Sequence, residues 1–142
     1  MINQDSRKMI EQVVRNLASL KLRSCGIAVS GGSDSIALFH IMTEWESENK
    51  PEILVASVDH GLRSESRSEV EFVKKICEMK NVKHFSLKPT VNISEARGNL
   101  QENARLARYQ LLTNWAISNG LQSILVGHTL DDQEENLSLI HI

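Results

Sequence analysis

The chain alternates between short apolar runs and longer stretches in which apolar residues recur at helical spacing. The short runs predict four buried strands: GIAVS (26–30), EILVASV (52–58), VKHFSL (82–87) and QSILVG (122–127). The longer stretches predict four helices: MIEQVVRNLASL (9–20), DSIALFHIMTEW (34–45), SESRSEVEFVKKICEMK (64–80) and NLQENARLARYQLLTNWAISNG (99–120). Strands that alternate with helices of this length predict an α/β domain with a doubly wound parallel sheet, covered by helices on both faces.

Spacing within each helix predicts the side chains that face the sheet. The first two helices are expected to turn these residues inward: Ile10, Val13, Val14, Leu17, Ile36, Ala37, Ile41 and Trp45. For the last two helices the inward residues are Val70, Val73, Cys77, Leu100, Ala104, Ala107, Leu111 and Trp115. Gly120 is expected to stop the fourth helix, because glycine adopts the left-handed backbone that ends many helices.

The end of the sequence departs from this regular pattern. DDQEENLSLIHI (131–142) begins like a helix but ends in apolar residues without a cap or a polar tail. We therefore expect residues 1–142 to form a single domain that is a C-terminally truncated fragment of a longer enzyme, or a domain whose last residues are not native.

Composition narrows the class of protein. The 142 residues suffice for one core, and 41% hydrophobic with 24% charged residues is typical of a globular domain without a membrane span. A net charge of −2 and an aromatic content of 4% provide no general attraction for nucleic acid, so any such contact is local or lies outside this chain. The N-terminus lacks a secretory pattern, which predicts a cytoplasmic protein.

The two cysteines form no recognisable site. Cys25 falls in a strand-like segment and Cys77 in a helix-like one, and neither belongs to a CxxC pair. We interpret both as small buried hydrophobic residues.

SGGSDS (30–35) joins the first predicted strand to the following helix. Unpaired N–H groups at a helix start, approached through glycines, form a ready site for phosphate. Asp34 would repel phosphate unless a divalent cation lay between them. The alternative is a tight structural turn in which the glycines supply unusual backbone angles and Ser33 or Asp34 caps the helix. The segment is neither a GxxxxGK nor a GxGxxG loop.

Further polar residues follow other strands and are expected at the same edge of the sheet, where ligands of such folds bind. His128, Asp131 and Asp132 follow the fourth strand, and the two carboxylates either hold Mg²⁺ with Asp34 or only complement a helix dipole. Asp59, His60, Gly61 and Arg63 follow the second strand, and His60 is either a ligand contact or a packing residue. His40, His84 and His141 have no partner pattern and are interpreted as structural or surface residues.

Glu102, Arg105 and Arg108 share one side of the fourth predicted helix, with Tyr109 alongside. One interpretation is a solvated face with an internal Glu–Arg pair. The other is a phosphate-binding face, since the planar guanidinium group can grip phosphate oxygens.

These segments together resemble a known family. SGGSDS is similar to the PP-loop, SGGxDS, of the N-type ATP pyrophosphatases, which convert ATP to AMP and pyrophosphate while adenylylating a substrate. That motif alone leaves GMP synthetase, asparagine synthetase, argininosuccinate synthetase and tRNA thiolation enzymes open. VDHGLRSES, QENARLARYQLL and GHTLDDQEEN resemble, in the same order, the motifs of the tRNA(Ile)-lysidine synthases. One departure is that the family continues after Asp132 into a helix and a basic glycine-containing loop, whereas this chain reads QEENLSLIHI.

The resemblance implies a Rossmann-like adenine nucleotide alpha hydrolase (PP-loop ATPase) fold that uses ATP and Mg²⁺. It implies ligation of lysine to C2 of the wobble cytidine in the CAU anticodon of tRNA(Ile), with tRNA, L-lysine and a second copy of the chain as partners. Implied catalytic residues are Asp34, Arg105, Arg108, His128 and Asp132. Implied nucleotide-binding residues are Ser30, Gly31, Gly32, Ser33, Asp34, Ser35 and His60, and implied Mg²⁺ ligands are Asp34 and Asp131.

Two alternatives remain at this point. A PP-loop tRNA thiolase would need cysteines that carry sulfur or an iron–sulfur cluster, which Cys25 and Cys77 match poorly. A non-catalytic ATP-binding module of the same architecture would bind ATP without releasing AMP.

Overall fold

A computed structural model describes residues 8, 11, 12, 15, 23–29, 33–44, 51–58, 64–88, 100–128 and 136–142. The strands are β1 (Ser24–Ala28), β2 (Glu52–Val58), β3 (Lys83–Leu87), β4 (Ser123–His128) and β5 (Asn136–His141). The helices are α1 (Ser33–Glu44), α2 (Ser64–Met79) and α3 (Leu100–Ser118). Within the predicted N-terminal helix the described residues, 11, 12 and 15, are helical, and so is Lys8 just before it.

The strands form one five-stranded sheet in the order β3-β2-β1-β4-β5. β1 pairs in parallel with both β2 and β4, and β2 pairs in parallel with β3. The predicted α/β fold with a parallel sheet is therefore confirmed. No helix among the described residues is long and apolar enough to cross a membrane.

The C-terminal segment differs from its prediction. Residues 136–141 form β5, which pairs antiparallel with β4, whereas the sequence was expected to begin a helix before this point. The alternation in Leu137, Ser138 and Leu139 has the period of a strand, and β4 would otherwise offer unpaired backbone groups at the edge of the sheet. Pairing with β4 therefore accounts for the strand over Asn136–His141, and residues 131–135 lie outside the described part of the chain.

The core consists of two clusters, one on each face of the sheet. The cluster under α1 and α2 includes Cys25, Ile27, Val29, Leu38, Phe39, Met42, Val55, Val73 and Cys77. The cluster under α3 includes Leu54, Ala56, Leu112, Trp115, Ala116, Leu121, Ile124 and Val126. Neighbouring residues of β1, β2 and β4 thus pack against opposite helical layers, as alternation along a strand requires.

The buried faces of two helices are rotated from the predicted positions. In α1 Ala37 is buried as expected, together with Leu38, Phe39 and Met42, while the expected Ile36 and Ile41 are only partly buried. Helix α1 is apolar almost all round, so spacing alone could not select its inward face. In α3 the buried residues are Leu112, Trp115 and Ala116, so of the expected set that is described only Trp115 is fully inside.

Two helices end in the same hydrogen-bonded motif. After α3, Gly120 has a φ of +67°, its N–H donates to the carbonyl of Ile117, and the Leu121 N–H donates to that of Ala116. After α2, Asn81 takes the equivalent position with a φ of 57°. Gly120 therefore stops α3 as the sequence predicts.

Gly26 lies in the central strand beneath α3. A Cβ atom at this position would lie 2.7 Å from Cζ3 of Trp115 and 2.9 Å from Cδ1 of Leu121. The Trp115 ring is also held by Phe85 in an edge-to-face contact with centroids 5.6 Å apart. The lack of a side chain at Gly26 lets α3 pack directly on the middle of the sheet.

Replacing Gly26 by alanine is expected to lower the free energy of unfolding by about 1–3 kcal/mol, because the added methyl group overpacks against a fixed indole. Urea unfolding followed by circular dichroism measures this loss. The Gly26→Ala/Trp115→Phe double variant should lose less than the sum of the two single variants, because the smaller ring frees the space. Additive losses would contradict this explanation.

Candidate functional site

The order of the strands creates a crevice at the carboxyl end of β1. From β1 the chain passes through α1 to β2 and through α2 to β3, which lie on one side of β1 in the sheet. It then returns through α3 to β4, which lies on the other side of β1. The connection that leaves β1 through α1 and the connection that enters β4 through α3 therefore cover opposite faces of the sheet. In open α/β sheets ligands bind at this reversal, beyond the carboxyl ends of the strands.

This crevice lies next to the two elements that flank the glycine–serine turn in sequence. β1 ends at Ala28, which pairs in register with Val126 of β4, and α1 begins at Ser33. Ser33 and Asp34 are the first two residues of a 12-residue helix, although their side chains lie outside the described part of the chain. Ser35 is buried, with 3% of its surface exposed.

Several predicted site residues belong to the segments that follow strands in the sequence. Ser30, Gly31, Gly32, His60, Asp131 and Asp132 lie outside the described residues. The strand ends show the points at which the chain enters these segments. β2 ends at Val58, two positions before His60, and His128 is the last residue of β4, opposite Asn136 of β5. The carboxyl end of β4 thus lies beside that of β1, as predicted.

Helix α3 brings the two predicted arginines toward the same edge. The helix runs against the direction of β4, so its N-terminal half, which includes Arg105, points to the carboxyl ends of the strands. Arg108 is half-buried, and its Cζ lies 6.0 Å from the centre of the Tyr109 ring. Tyr109 packs against the core cluster under α3. Arg108 therefore does not belong to a fully solvated face, and the side chains of Glu102 and Arg105 lie outside the described residues.

A hydrogen-bonded chain at the end of β2 was missed by the sequence analysis. Ser57 is buried, and its Oγ lies 3.0 Å from the carbonyl oxygen of Val29, to which it donates, and 3.0 Å from Nε2 of His84. The sequence around His84 shows no partner pattern and predicts only a structural or surface residue. The hydroxyl of Ser57, which follows the apolar run 53–56 of β2, is the available signal, since a buried hydroxyl requires a partner.

The surroundings of His84 favour its neutral form. Burial lowers its pKa below the ordinary value of 6.5, and the Lys74 ammonium group acts in the same direction. Glu71 and Glu78 act in the opposite direction and only partly offset this.

Both cysteines are free thiols that lie buried in the core. Burial raises the pKa of Cys25 to about 12, partly offset by a backbone hydrogen bond from Leu125, and raises that of Cys77 to about 11. Thiolate is the nucleophilic and metal-binding form of cysteine. The interpretation of Cys25 and Cys77 as buried packing residues is consistent with this environment.

Comparison with protein families gives one match that spans nearly the whole chain. A family model described as a PP-loop domain matches residues 2–141.

Curated proteins of similar sequence share one name. The tRNA(Ile)-lysidine synthase of Ruegeria pomeroyi is 45% identical over 115 residues, which are 81% of this chain and 27% of that protein. The proteins of the same name from Rickettsia rickettsii and Wolbachia pipientis are 39% and 38% identical over 91% and 93% of this chain, and 27% and 31% of their own lengths. The chain thus spans about a quarter to a third of the length of these relatives.

A solved structure shares the fold. The U34-tRNA thiolase NcsA from Methanococcus maripaludis, determined with its [4Fe-4S] cluster, superposes with a TM-score of 0.67. It covers 88% of this chain and 48% of its own, at 15% sequence identity. This likeness establishes the architecture alone.

The protonation of His84 gives a measurable pH dependence. The unfolded chain takes up a proton near pH 6.5, while the folded protein resists it. The contribution of His84 to the free energy of unfolding is therefore complete above about pH 6.5 and is lost as the pH falls through the lower folded pKa. Urea unfolding at pH 8 and pH 5.5 should show a smaller acid-induced loss for His84→Gln than for the wild type. Equal losses in both proteins would contradict the effect of burial.

Proposed function

Because the chain belongs to the PP-loop domain family, we propose that it is the ATP-binding part of a tRNA(Ile)-lysidine synthase. The activity is the ATP-dependent ligation of lysine to C2 of the wobble cytidine in the CAU anticodon of tRNA(Ile). ATP is cleaved to AMP and pyrophosphate through an adenylylated tRNA intermediate. Identities of 38% to 45% over most of this chain to proteins of that name support the assignment.

The observation that carries the proposal is the position of the glycine–serine turn. It follows the central strand β1 at the reversal of strand order and leads directly into α1. A helix start at this point presents free N–H groups and a partial positive charge to an anion. The phosphates of ATP bind at this turn, with residues 30–35 around them and His60 near the adenosine.

The residues of the turn and of the β4 connection suit a metal-bound triphosphate. Asp34 is the second residue of α1, and Asp131 follows the neighbouring β4 in sequence, so we assign both to the edge where the phosphates bind. Carboxylate oxygens are preferred ligands of Mg²⁺. Asp34 and Asp131 would hold this ion, which neutralises phosphate charge when bound.

In the first step, the O2 oxygen of the cytidine attacks the α-phosphorus of ATP and the bond to pyrophosphate breaks. Arg105 and Arg108 stabilise the negative charge that develops on the leaving pyrophosphate. His128, at the end of β4, contacts the phosphates and helps to align them with the attacking oxygen. The half-buried position of Arg108 on the sheet-facing side of α3 supports this role.

In the second step, the ε-amine of lysine attacks C2 of the adenylylated cytidine, and AMP leaves with the oxygen atom. Asp132 positions the amine and accepts its proton. Exclusion of water is essential here, since water could otherwise hydrolyse the adenylylated base.

The remaining partners are proposed for the whole protein. This chain spans about a quarter of the relatives' length, so we assign binding of the body of tRNA(Ile) to regions of the protein other than this chain. L-lysine is the second substrate, the enzyme acts as a homodimer, and it works in the cytoplasm.

A tRNA thiolase is the alternative function that the shared fold suggests, and the burial of both cysteines argues against it. Sulfur transfer and iron–sulfur binding both require thiolates. The chain contains two cysteines, and burial raises the pKa of both thiols, Cys25 and Cys77, to about 12 and 11.

The proposed reaction is tested with the full-length protein, Mg-ATP, isotopically labelled lysine and tRNA(Ile). We expect lysine-dependent formation of AMP, not ADP, together with label in the tRNA. Asp34→Ala should lower the rate by at least about 100-fold, since it removes a proposed metal ligand at the reacting phosphates. Glu69→Ala, on the exposed face of α2, serves as the matched control and should keep the wild-type rate. ADP as the product, or AMP without labelled tRNA, would refute the assignment.

The role of the cysteines has its own test. The Cys25→Ala/Cys77→Ala double variant should retain lysine-dependent AMP formation to within about twofold, because neither thiol takes part in the proposed chemistry. Thermal melting establishes that the variant is folded at the assay temperature. A folded variant that has lost the activity would favour thiolate chemistry instead.

A further inference from the structure

Val29 is the last described residue before the glycine–serine turn, and both of its backbone polar groups are bound. Its N–H donates to the carbonyl of Ala56 at 2.9 Å, and its carbonyl accepts the hydroxyl of Ser57 at 3.0 Å. Ser57 has only 2% of its surface exposed, so water does not compete for the hydroxyl. The Ser57 side chain of β2 thereby fixes the backbone one residue beyond Ala28, the last residue of β1 that is paired with β2.

The direction of the hydrogen bonds follows from the number of protons. A serine hydroxyl has one hydrogen, and Ser57 gives it to the Val29 carbonyl. Ser57 must then accept from His84, which requires a hydrogen on Nε2 of the imidazole. The chain of donors runs from His84 to Ser57 to Val29, and each bond polarises the next.

The position of Val29 gives this chain of donors a consequence for the ligand site. The Val29 carbonyl belongs to the planar peptide unit through which the strand leads into Ser30. Holding the carbonyl therefore fixes the plane in which the backbone enters the turn. Phosphate sites built from backbone N–H groups depend on such orientation, because the donors must already point at the ligand when it arrives.

We propose that Ser57 and His84 are positioning residues that orient the strand end entering the glycine–serine turn and thereby set the affinity for the phosphates of ATP. This inference rests on the proposed function, since it assigns ATP phosphates to the turn. Neither residue contacts the ligand. His84 acts through Ser57, and Ser57 acts through the Val29 carbonyl.

The position of His84 supports an indirect role. It lies on the outer strand β3, two strands away from β1, and Ser57 of the intervening strand bridges the distance. Three charged residues of α2 act electrostatically on the imidazole, namely Glu71, Lys74 and Glu78. Both the neutral Nε2–H form and the imidazolium keep the hydrogen that Ser57 accepts.

The test is the dissociation constant of the full-length protein for Mg-ATP, measured by calorimetry below the melting transition of the least stable variant. Ser57→Ala should weaken binding about tenfold, equivalent to about 1.4 kcal/mol. His84→Leu should weaken binding less, by about threefold, because Ser57 still donates to the Val29 carbonyl although it no longer accepts a hydrogen bond from His84. His84→Gln offers an amide N–H to Ser57 and should restore binding to within about twofold of the wild type.

A matched control and a double variant separate positioning from general destabilisation. The control is Ser86→Ala, which also removes a serine hydroxyl. Ser86 is paired with Ser57 in the register of β2 and β3 but is exposed, so this variant should bind ATP as the wild type does. The Ser57→Ala/His84→Leu double variant should bind no more weakly than Ser57→Ala alone, because His84 acts only through Ser57.

The outcomes distinguish this inference from the proposed function. A folded Ser57→Ala protein that binds Mg-ATP within twofold of the wild type overturns the inference and leaves the proposed function intact. Additive losses in the double variant overturn the role of His84 through Ser57. If Ser57→Ala does not fold, His84→Leu and His84→Gln decide, and equal affinities of these two variants overturn the inference. If the wild-type protein does not bind Mg-ATP, the proposed function fails and the inference with it.

Discussion

Parallel pairing of β1 with both β2 and β4 is the constraint on which the rest of the structure depends. Because β1 is central, its two faces must be covered by different helical layers, with α1 and α2 on one side and α3 on the other. Because all three strands run in one direction, the segments that follow them emerge at one edge. The carboxyl ends of β1 and β4 and the N-terminal half of α3 lie at this edge for that reason. The proposed chemistry requires phosphate-binding N–H groups, carboxylates and arginines at this edge.

The sequence predicted the elements well because each one carries a strong local pattern. The predicted range of β2 coincides with the observed Glu52–Val58, and Gly120 ends α3 through the left-handed backbone that glycine favours. The inward faces of α1 and α3 were harder to predict. Helix α1 is apolar almost all round, and in α3 the contact of Trp115 with Gly26 and Phe85 selects the buried side. Such contacts join residues that are distant in sequence, so a local pattern does not contain them.

The strand ends next to which most of the predicted site residues lie in sequence were predictable for the same reason, because strand ends can be read from hydrophobic patterns. The placement of those side chains around a ligand stays a prediction. The Ser57–His84 pair was not recognised, because a lone serine in β2 and a lone histidine in β3 acquire meaning only when the parallel register brings them together. The β5 strand was missed because its pairing with the edge of β4 is a property of the sheet as a whole.

The long return from β1 to β4 also has a consequence for how the domain is made. Hydrogen bonds at the start of the central strand join residues far apart in the chain. The backbone N–H of Arg23 donates to Oε1 of Gln122, 99 positions away, and the hydroxyl of Ser24 donates to the Gly120 carbonyl, 96 positions away. Val29 and Ser57, in contrast, are separated by only 28. On the ribosome, the β1–β2–β3 half is synthesised well before its partner strand, and closure over so long a loop is slow. During synthesis, β1 exposes an unpaired edge until β4 emerges, so a nascent chain stalled before that point is expected to present an aggregation-prone strand edge.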